Sequence, residues 1–160
     1  MTKILVFSDS HGKGKYIERA LEIHGGVCDL AIFLGDGISD IEYVKEKYPN
    51  ITFYVVKGNC DLLSGGYPNV SVLDLDGIKV LITHGHLYSA KYGYERLVYA
   101  ALEKEADAVF FGHTHTPLDE IVDCNEKRVH LFNPGSIGHD GSYGVINTSG
   151  KVLVTSHGKI

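Results

Sequence analysis

The sequence predicts an α/β domain in which two packed sheets carry helices on their outer sides. Short apolar runs rich in Val, Ile and Phe recur along the chain, each too short for a helix and therefore read as a buried strand. Helical spacing fills the gaps between the first three runs, and the second half of the chain reads as hairpins. Helices early and hairpins late place two sheets face to face with the helices outside.

Residues 4–7 form the first strand. Tyr16/Ile17, Ala20/Leu21 and His24 then follow helical spacing, and Gly25-Gly26 supplies the stop. Residues 30–34 are the second strand, after which Ser39 is placed to cap a helix whose Ile41, Val44 and Tyr48 share a face and which Pro49 ends. Residues 53–56 complete a β-α-β-α-β unit. Beyond Gly65-Gly66 and Tyr67-Pro68, residues 70–75 and 78–82 pair around Asp76-Gly77, a dipeptide suited to a tight hairpin turn. Leu97, Val98, Ala101 and Leu102 form a stripe that predicts a third helix over 89–105. After the apolar run 109–111, strands are expected over 118–124, 127–132, 143–147 and 151–155, with turns at Asn125-Glu126 and Ser149-Gly150. No repeat or linker interrupts the chain, so residues 1–160 are read as a single domain.

With 44% hydrophobic and 22% charged residues, the chain has a globular composition that excludes disordered, collagen-like and membrane-spanning classes. Fifteen basic against twenty acidic residues give a formal charge of −5 without a Lys/Arg run, which argues against nucleic acid as a partner. Cys28, Cys60 and Cys124 are widely spaced and form no CxxC pair, so neither a zinc ribbon nor a disulfide framework is expected. The first apolar run is too short for a signal-peptide core. A cytoplasmic protein with no membrane attachment is the expectation. The unusual count is nine histidines with no tryptophan and one methionine.

Six apolar runs end alike, in small residues followed by side chains that bind metals or phosphate. These endings are Ser8-Asp9-Ser10-His11, Gly35-Asp36, Gly58-Asn59-Cys60-Asp61, Thr83-His84-Gly85-His86, Gly112-His113-Thr114-His115 and Asn133-Pro134-Gly135-Ser136. Ligands of open α/β sheets bind beyond the carboxyl ends of strands, so residues far apart in sequence are expected to meet in one site. Two carboxylates, an amide and four or five imidazoles suit Mn, Fe, Ni, Co or Zn, whereas Ca or Mg favours oxygen ligands alone. The set exceeds the needs of one tetrahedral ion. A carboxylate bridging two ions accounts for the surplus.

Asp9-x-His11, Gly35-Asp36-x-x-Asp40, Gly58-Asn59, His84-Gly85-His86 and Gly112-His113-x-His115 resemble the ordered motifs of the calcineurin-like metallophosphoesterases. The short chain without a cap domain is most similar to their small YfcE-type phosphodiesterases, and the resemblance covers nearly the whole sequence. It implies a four-layer α-β-β-α sandwich and two divalent transition-metal ions, manganese foremost, with nickel, cobalt, iron or zinc as alternatives. One ion falls to Asp9, His11 and His115 and the other to Asn59, His84 and His113, with Asp36 bridging. The extended reading of 113–115 points both imidazoles to one side, and Gly35 leaves the approach to Asp36 open. The implied reaction is in-line attack on a small phosphodiester by a metal-bridging hydroxide. Where the wider superfamily often has His after the Asn, this chain has Cys60, whose reference pKa of ≈ 8.5 makes it a poor proton source. His86 is the better candidate to contact phosphate or assist the leaving group.

Other polar residues have plainer readings. Asp40 and Asp61 suit a helix start and a loop hydrogen-bond acceptor, Ser136 suits a turn, and His24, His130, His139 and His157 fall outside the motifs. Gly12-Lys13-Gly14 lacks the third glycine of a dinucleotide loop. A phosphomonoesterase, or a binding scaffold resembling the retromer subunit of this superfamily, are the alternatives. Against them stand the scarcity of Arg near the motifs and the presence of both carboxylates, the amide and four motif histidines. Leu62-Leu63 and the tyrosine-rich helix are compatible with a homodimer, while the four tyrosines between Tyr88 and Tyr99 are read first as partly buried packing, with a pocket wall or a partner contact as alternatives.

Overall fold

The computed structural model describes residues 1–25, 27–28 and 30–160. In chain order the elements are β1 (Thr2–Phe7), α1 (Gly14–Ile23), β2 (Leu30–Phe33), α2 (Ile38–Lys47), β3 (Thr52–Val55), β4 (Val70–Leu75) and β5 (Ile78–Thr83). They continue as α3 (Glu95–Glu103), β6 (Ala108–Phe110), β7 (Leu118–Cys124), β8 (Lys127–Asn133), α4 (Ile137–Asp140), β9 (Ser142–Ser149) and β10 (Val152–Lys159). One sheet has the order β10-β9-β1-β2-β3 and the other β4-β5-β6-β8-β7. Within the first, β1, β2 and β3 run parallel; within the second, β5, β6 and β8 do. The remaining pairings are antiparallel: β9 with β1 and β10, β4 with β5, and β7 with β8.

Side-chain parity builds the layers. Ile4, Val6, Leu30 and Ile32 face Val80, Ile82, Phe110 and Phe132 across the gap between the sheets. Their neighbours Leu5, Phe7, Ala31 and Phe33 turn the other way, onto Ile17 and Leu21 of α1 and Ile41 and Val44 of α2. Leu81, Val109 and Leu131 likewise pack on Leu97, Val98 and Ala101 of α3. The layers are thus helices, sheet, sheet, helix, in the four-layer sandwich that the motifs imply. A parallel strand covered on both faces must be apolar at successive positions, which is why these strands appear in the sequence as unbroken runs.

Several boundaries differ from expectation. Gly37 stands at the start of α2, so Ser39 lies inside the first turn and caps nothing; the capping acceptor is Asp61, from the next strand's loop. The helix expected over 89–105 is broken into a 3₁₀ turn (Ala90–Tyr92) and α3, because Ser89 (φ 54°) and Gly93 (φ 142°) depart from helical backbone. The last hairpin turns on Gly150-Lys151, one residue later than expected, and β10 runs on to Lys159. Asp76-Gly77 and Asn125-Glu126 do form two-residue turns with positive φ at both positions. Gly26, half of the expected stop of α1, lies outside the described residues; Gly25 closes the helix with its N–H on the Glu22 carbonyl (2.9 Å). No described helix is long and apolar enough to cross a membrane.

Candidate metal centre

Each of the six apolar runs is one of the six parallel strands, and each polar ending is the loop that leaves its carboxyl end. Asp9 and His11 follow β1, Asp36 follows β2, Asn59 and Cys60 follow β3, His84 and His86 follow β5, and His113 and His115 follow β6. Five of these residues, Asp9, His11, Asp36, His113 and His115, have left-handed backbone with φ between 44° and 68°. That conformation is uncommon outside glycine and collects at functional sites. It turns each side chain sharply off the strand axis, and it corrects the extended reading of 113–115. His113 turns toward His84 (ring centroids 5.0 Å apart), whereas His115 turns toward His11 (5.3 Å).

Two carboxylates stand at the middle. Oδ2 of Asp9 accepts the Ser8 hydroxyl (2.5 Å) and the His113 N–H (3.1 Å), and its Oδ1 lies 3.1 Å from His115 Nε2 and 3.6 Å from His11 Nε2. Oδ1 of Asp36 accepts the Cys60 N–H (2.8 Å), leaving Oδ2 at 3.3 Å from His84 Nε2 and 3.8 Å from His11 Nε2. Ligand atoms of Asp9, His11 and His115 lie within 4.8 Å of one another, as do those of Asp36, His84 and His113. A third group of the same span joins His11, Asp36 and Cys60. Asn59 sits exposed beside them, its amide 3.5 Å from Cys60 Sγ.

His84 supplies the test of whether these residues fit a cation. It is fully buried, and its Nδ1 lies 2.7 Å from the Leu34 carbonyl, which only accepts, so Nδ1 carries the hydrogen. Nε2 then presents a lone pair toward Asp36 and has no hydrogen-bond partner. A buried lone pair facing a carboxylate is costly unless a positive charge lies between them or a proton is taken up. Burial pulls the His84 imidazole down, but Asp36 and Asp9 outweigh it and the net shift is upward. Burial raises the Asp36 carboxyl, yet His84 and the Cys60 N–H hold it well below the carboxylate range. His113 is pushed down to about 4 by burial, His84 and Lys91, and His86 is pushed down by burial and His84. Both are neutral near pH 7, the form in which imidazole ligates metal.

The glycines of the motifs are spacers for close approach. A Cβ at Gly58 would lie 2.1 Å from Asp36 Oδ1, and one at Gly112 would lie 1.9 Å from Ser8 Oγ. Gly35, expected only to leave Asp36 open, instead lets the β2 loop lie against the backbone of Lys57 and Gly58.

The polar residues around the centre hold the loops. Asp61 accepts the N–H groups of Asp36, Gly37, Ile38 and Gly58 at 2.7 to 3.1 Å. Asp40 accepts the Ser10 hydroxyl (2.5 Å) and the Gly12 N–H (2.8 Å), and Ser136 donates to the Asp9 carbonyl (2.8 Å). Sequence reasoning missed Ser8 and the Leu34 carbonyl, which orient Asp9 and His84; the Ser-Asp pair was visible, but a main-chain carbonyl leaves no sequence signal. His24, His130 and His157 lie elsewhere, on Tyr143, Asp119 and the Asn133 carbonyl. His139 approaches His115 (ring centroids 6.0 Å) without a motif to announce it.

A cleft of about 560 Å³ opens against His11, Asp36 and Cys60, and no lysine or arginine lines it among the described residues.

Known proteins resemble this chain in sequence and in fold. The probable metallophosphoesterase YsnB of Bacillus subtilis is 36% identical over 135 residues, 84% of this chain and 74% of that one. A predicted phosphoesterase from Streptococcus pneumoniae has a crystal structure matching at TM-score 0.79 and 28% identity, over 99% of this chain and 89% of its own. Two more distant structures share the fold alone. An archaeal phosphodiesterase matches at TM-score 0.69 and 23% identity, covering 98% of this chain and 99% of that one. Vps29 of Chaetomium thermophilum matches at 0.75 and 15%, covering 99% and 95%. The calcineurin-like phosphoesterase superfamily domain matches residues 2–151, and with the relatives above this establishes that the chain belongs to that superfamily.

Proposed function

We propose that this chain is a two-metal phosphodiesterase acting on a small phosphodiester. The observation that carries the reading is His84, whose buried Nε2 faces Asp36 Oδ2 at 3.3 Å, a contact that calls for a cation or a proton between them. One ion would be held by Asp9, His11 and His115 and the other by Asn59, His84 and His113, with Asp36 shared. Bound there, divalent ions would lower the pKa of water from 15.7 toward ~7 and neutralise charge on the phosphoryl oxygens.

The chain's own groups do the rest. The Leu34 carbonyl fixes the His84 tautomer, and the amides of His113 and Cys60 fix the rotamers of the two aspartates. His86, held neutral, offers an N–H to a phosphoryl oxygen or to the departing alcohol rather than a full proton. Burial and then Asp36, Asp61 and Asp9 push the Cys60 thiol up, so it stays protonated and gives up its proton less readily than an ordinary thiol. A diester is favoured over a monoester because the cleft has no guanidinium or ammonium to pair with a second phosphate charge. Residues 1–160 act as one domain in this reading, and the free thiols of Cys60 and Cys124 suit the cytoplasm.

The test is to strip metal and add back Mn, Ni, Co, Mg or Zn while assaying bis(p-nitrophenyl) phosphate beside p-nitrophenyl phosphate. Hydrolysis restored by transition metals, with manganese foremost and the diester preferred, is expected. No hydrolysis with any metal overturns the enzyme reading.

A further inference from the structure

The same loop that completes the centre carries two leucines in full contact with water. Leu62 is 85% exposed and Leu63 102%, more than almost any other apolar side chain in the molecule. They are not on a loose tip. Asp61, immediately before them, is buried and accepts four main-chain N–H groups, which ties the base of the loop to the start of α2. From that anchor Leu62 and Leu63, with Ile38, line the cleft whose inner wall is His11, Asp36 and Cys60. The carboxylates in the cleft are already committed: Asp61 to those amides, Asp40 to Ser10 and Gly12, and Asp36 to Cys60 and the imidazoles. With no lysine or arginine in the lining, the part of the cleft away from His11 and Asp36 has no cation to offer an anionic substituent and an apolar wall to offer a neutral one.

Resting on the phosphodiesterase reading, we propose that Leu62 and Leu63 form a subsite for an apolar ester group of the substrate, so that the natural diester carries a neutral, apolar or aromatic substituent beside its phosphate. Water leaves the leucines and that group only when the phosphate is at the metal centre, so the contact selects among diesters without taking part in the bond exchange. The rival occupant is a second copy of this chain. A stable dimer needs about 800 Å² from each partner, far more than two leucine side chains on a concave wall supply.

The test compares p-nitrophenyl methyl phosphate with p-nitrophenyl phenyl phosphate, which lose the same leaving group, in manganese-loaded wild type and in a Leu62→Ser, Leu63→Ser variant. Both positions are exposed, so the variant is expected to fold. Wild type should show kcat/KM about tenfold higher for the phenyl ester, and the variant a ratio near one. Equal ratios in the two proteins, or no preference in wild type, overturn the subsite while leaving the phosphodiesterase reading intact. Hydrolysis of neither ester overturns both. A wild-type dimer in sedimentation that the variant dissolves gives the leucines to a second copy and overturns the subsite.

Discussion

At the scale of single residues, Asp36 is the group to test. It lies between the two histidine sets, near His11 on one side and His84 on the other, with one oxygen committed to the Cys60 amide. Replacing it by asparagine removes the charge that two ions would share while keeping the shape. Asp36→Asn is expected to reduce bound metal, counted by elemental analysis, from two ions per chain to at most one and to lower kcat more than about a hundredfold. Two retained ions with near-normal turnover would refute the shared role. The types and order of the polar residues were readable because each sits directly after an apolar run. Their left-handed backbone was not, since Asp and His adopt it only where surrounding hydrogen bonds enforce it.

Among elements, the inner parallel strands were legible because burial on both faces demands continuous Val, Ile, Leu and Phe, whereas the edge strand β3 leaves Thr52 and Tyr54 exposed. Helix starts were less so. A cap is sought among neighbouring residues, yet α2 takes its acceptor from Asp61, 23 positions beyond Ile38 in sequence. The stripe from Leu97 to Leu102 correctly located α3, but the range 89–105 overran its start, because the backbone angles of Ser89 and Gly93 that break the helix leave no mark in the stripe. Asp61→Ala would leave four amides without their acceptor and free the β2 loop from the β3 loop. A loss of about 2–3 kcal/mol in urea unfolding is expected, with Asp61→Asn losing about half as much. An unchanged midpoint for the alanine variant would show that water replaces the carboxylate at no cost.

At the scale of the whole molecule, the pH dependence of folding follows from which imidazoles are neutral in the folded state. Burial, then Lys3, pushes His24 below its ordinary value, where it packs on Tyr143 and ties α1 to β9. His86 and His113 shift the same way, whereas His84 shifts upward. A lowered imidazole contributes stability above its unfolded pKa of ~6.5 and loses it as pH falls toward the folded value. His84 does the reverse. Metal-free protein is therefore expected to lose stability between pH 7.5 and 5, and His24→Gln to lose less; equal losses in urea titrations would dismiss His24 from the balance. The convergence of six loops was inferable from topology, but its closure was not: His84 meets Leu34 only because the sheets stack at one register.

That stacking has a consequence for exchange kinetics. Ser8, His113 and Cys60 hold the two aspartates by protein hydrogen bonds, so the donor set is assembled by the packing of the sheets rather than by the ions. In a zinc finger, binding supplies the folding energy and release unfolds the domain. Here an ion's departure would leave the sandwich standing. One metal would replace another at the rate its own bonds break, so the metal carried at any moment would follow the supply in its surroundings.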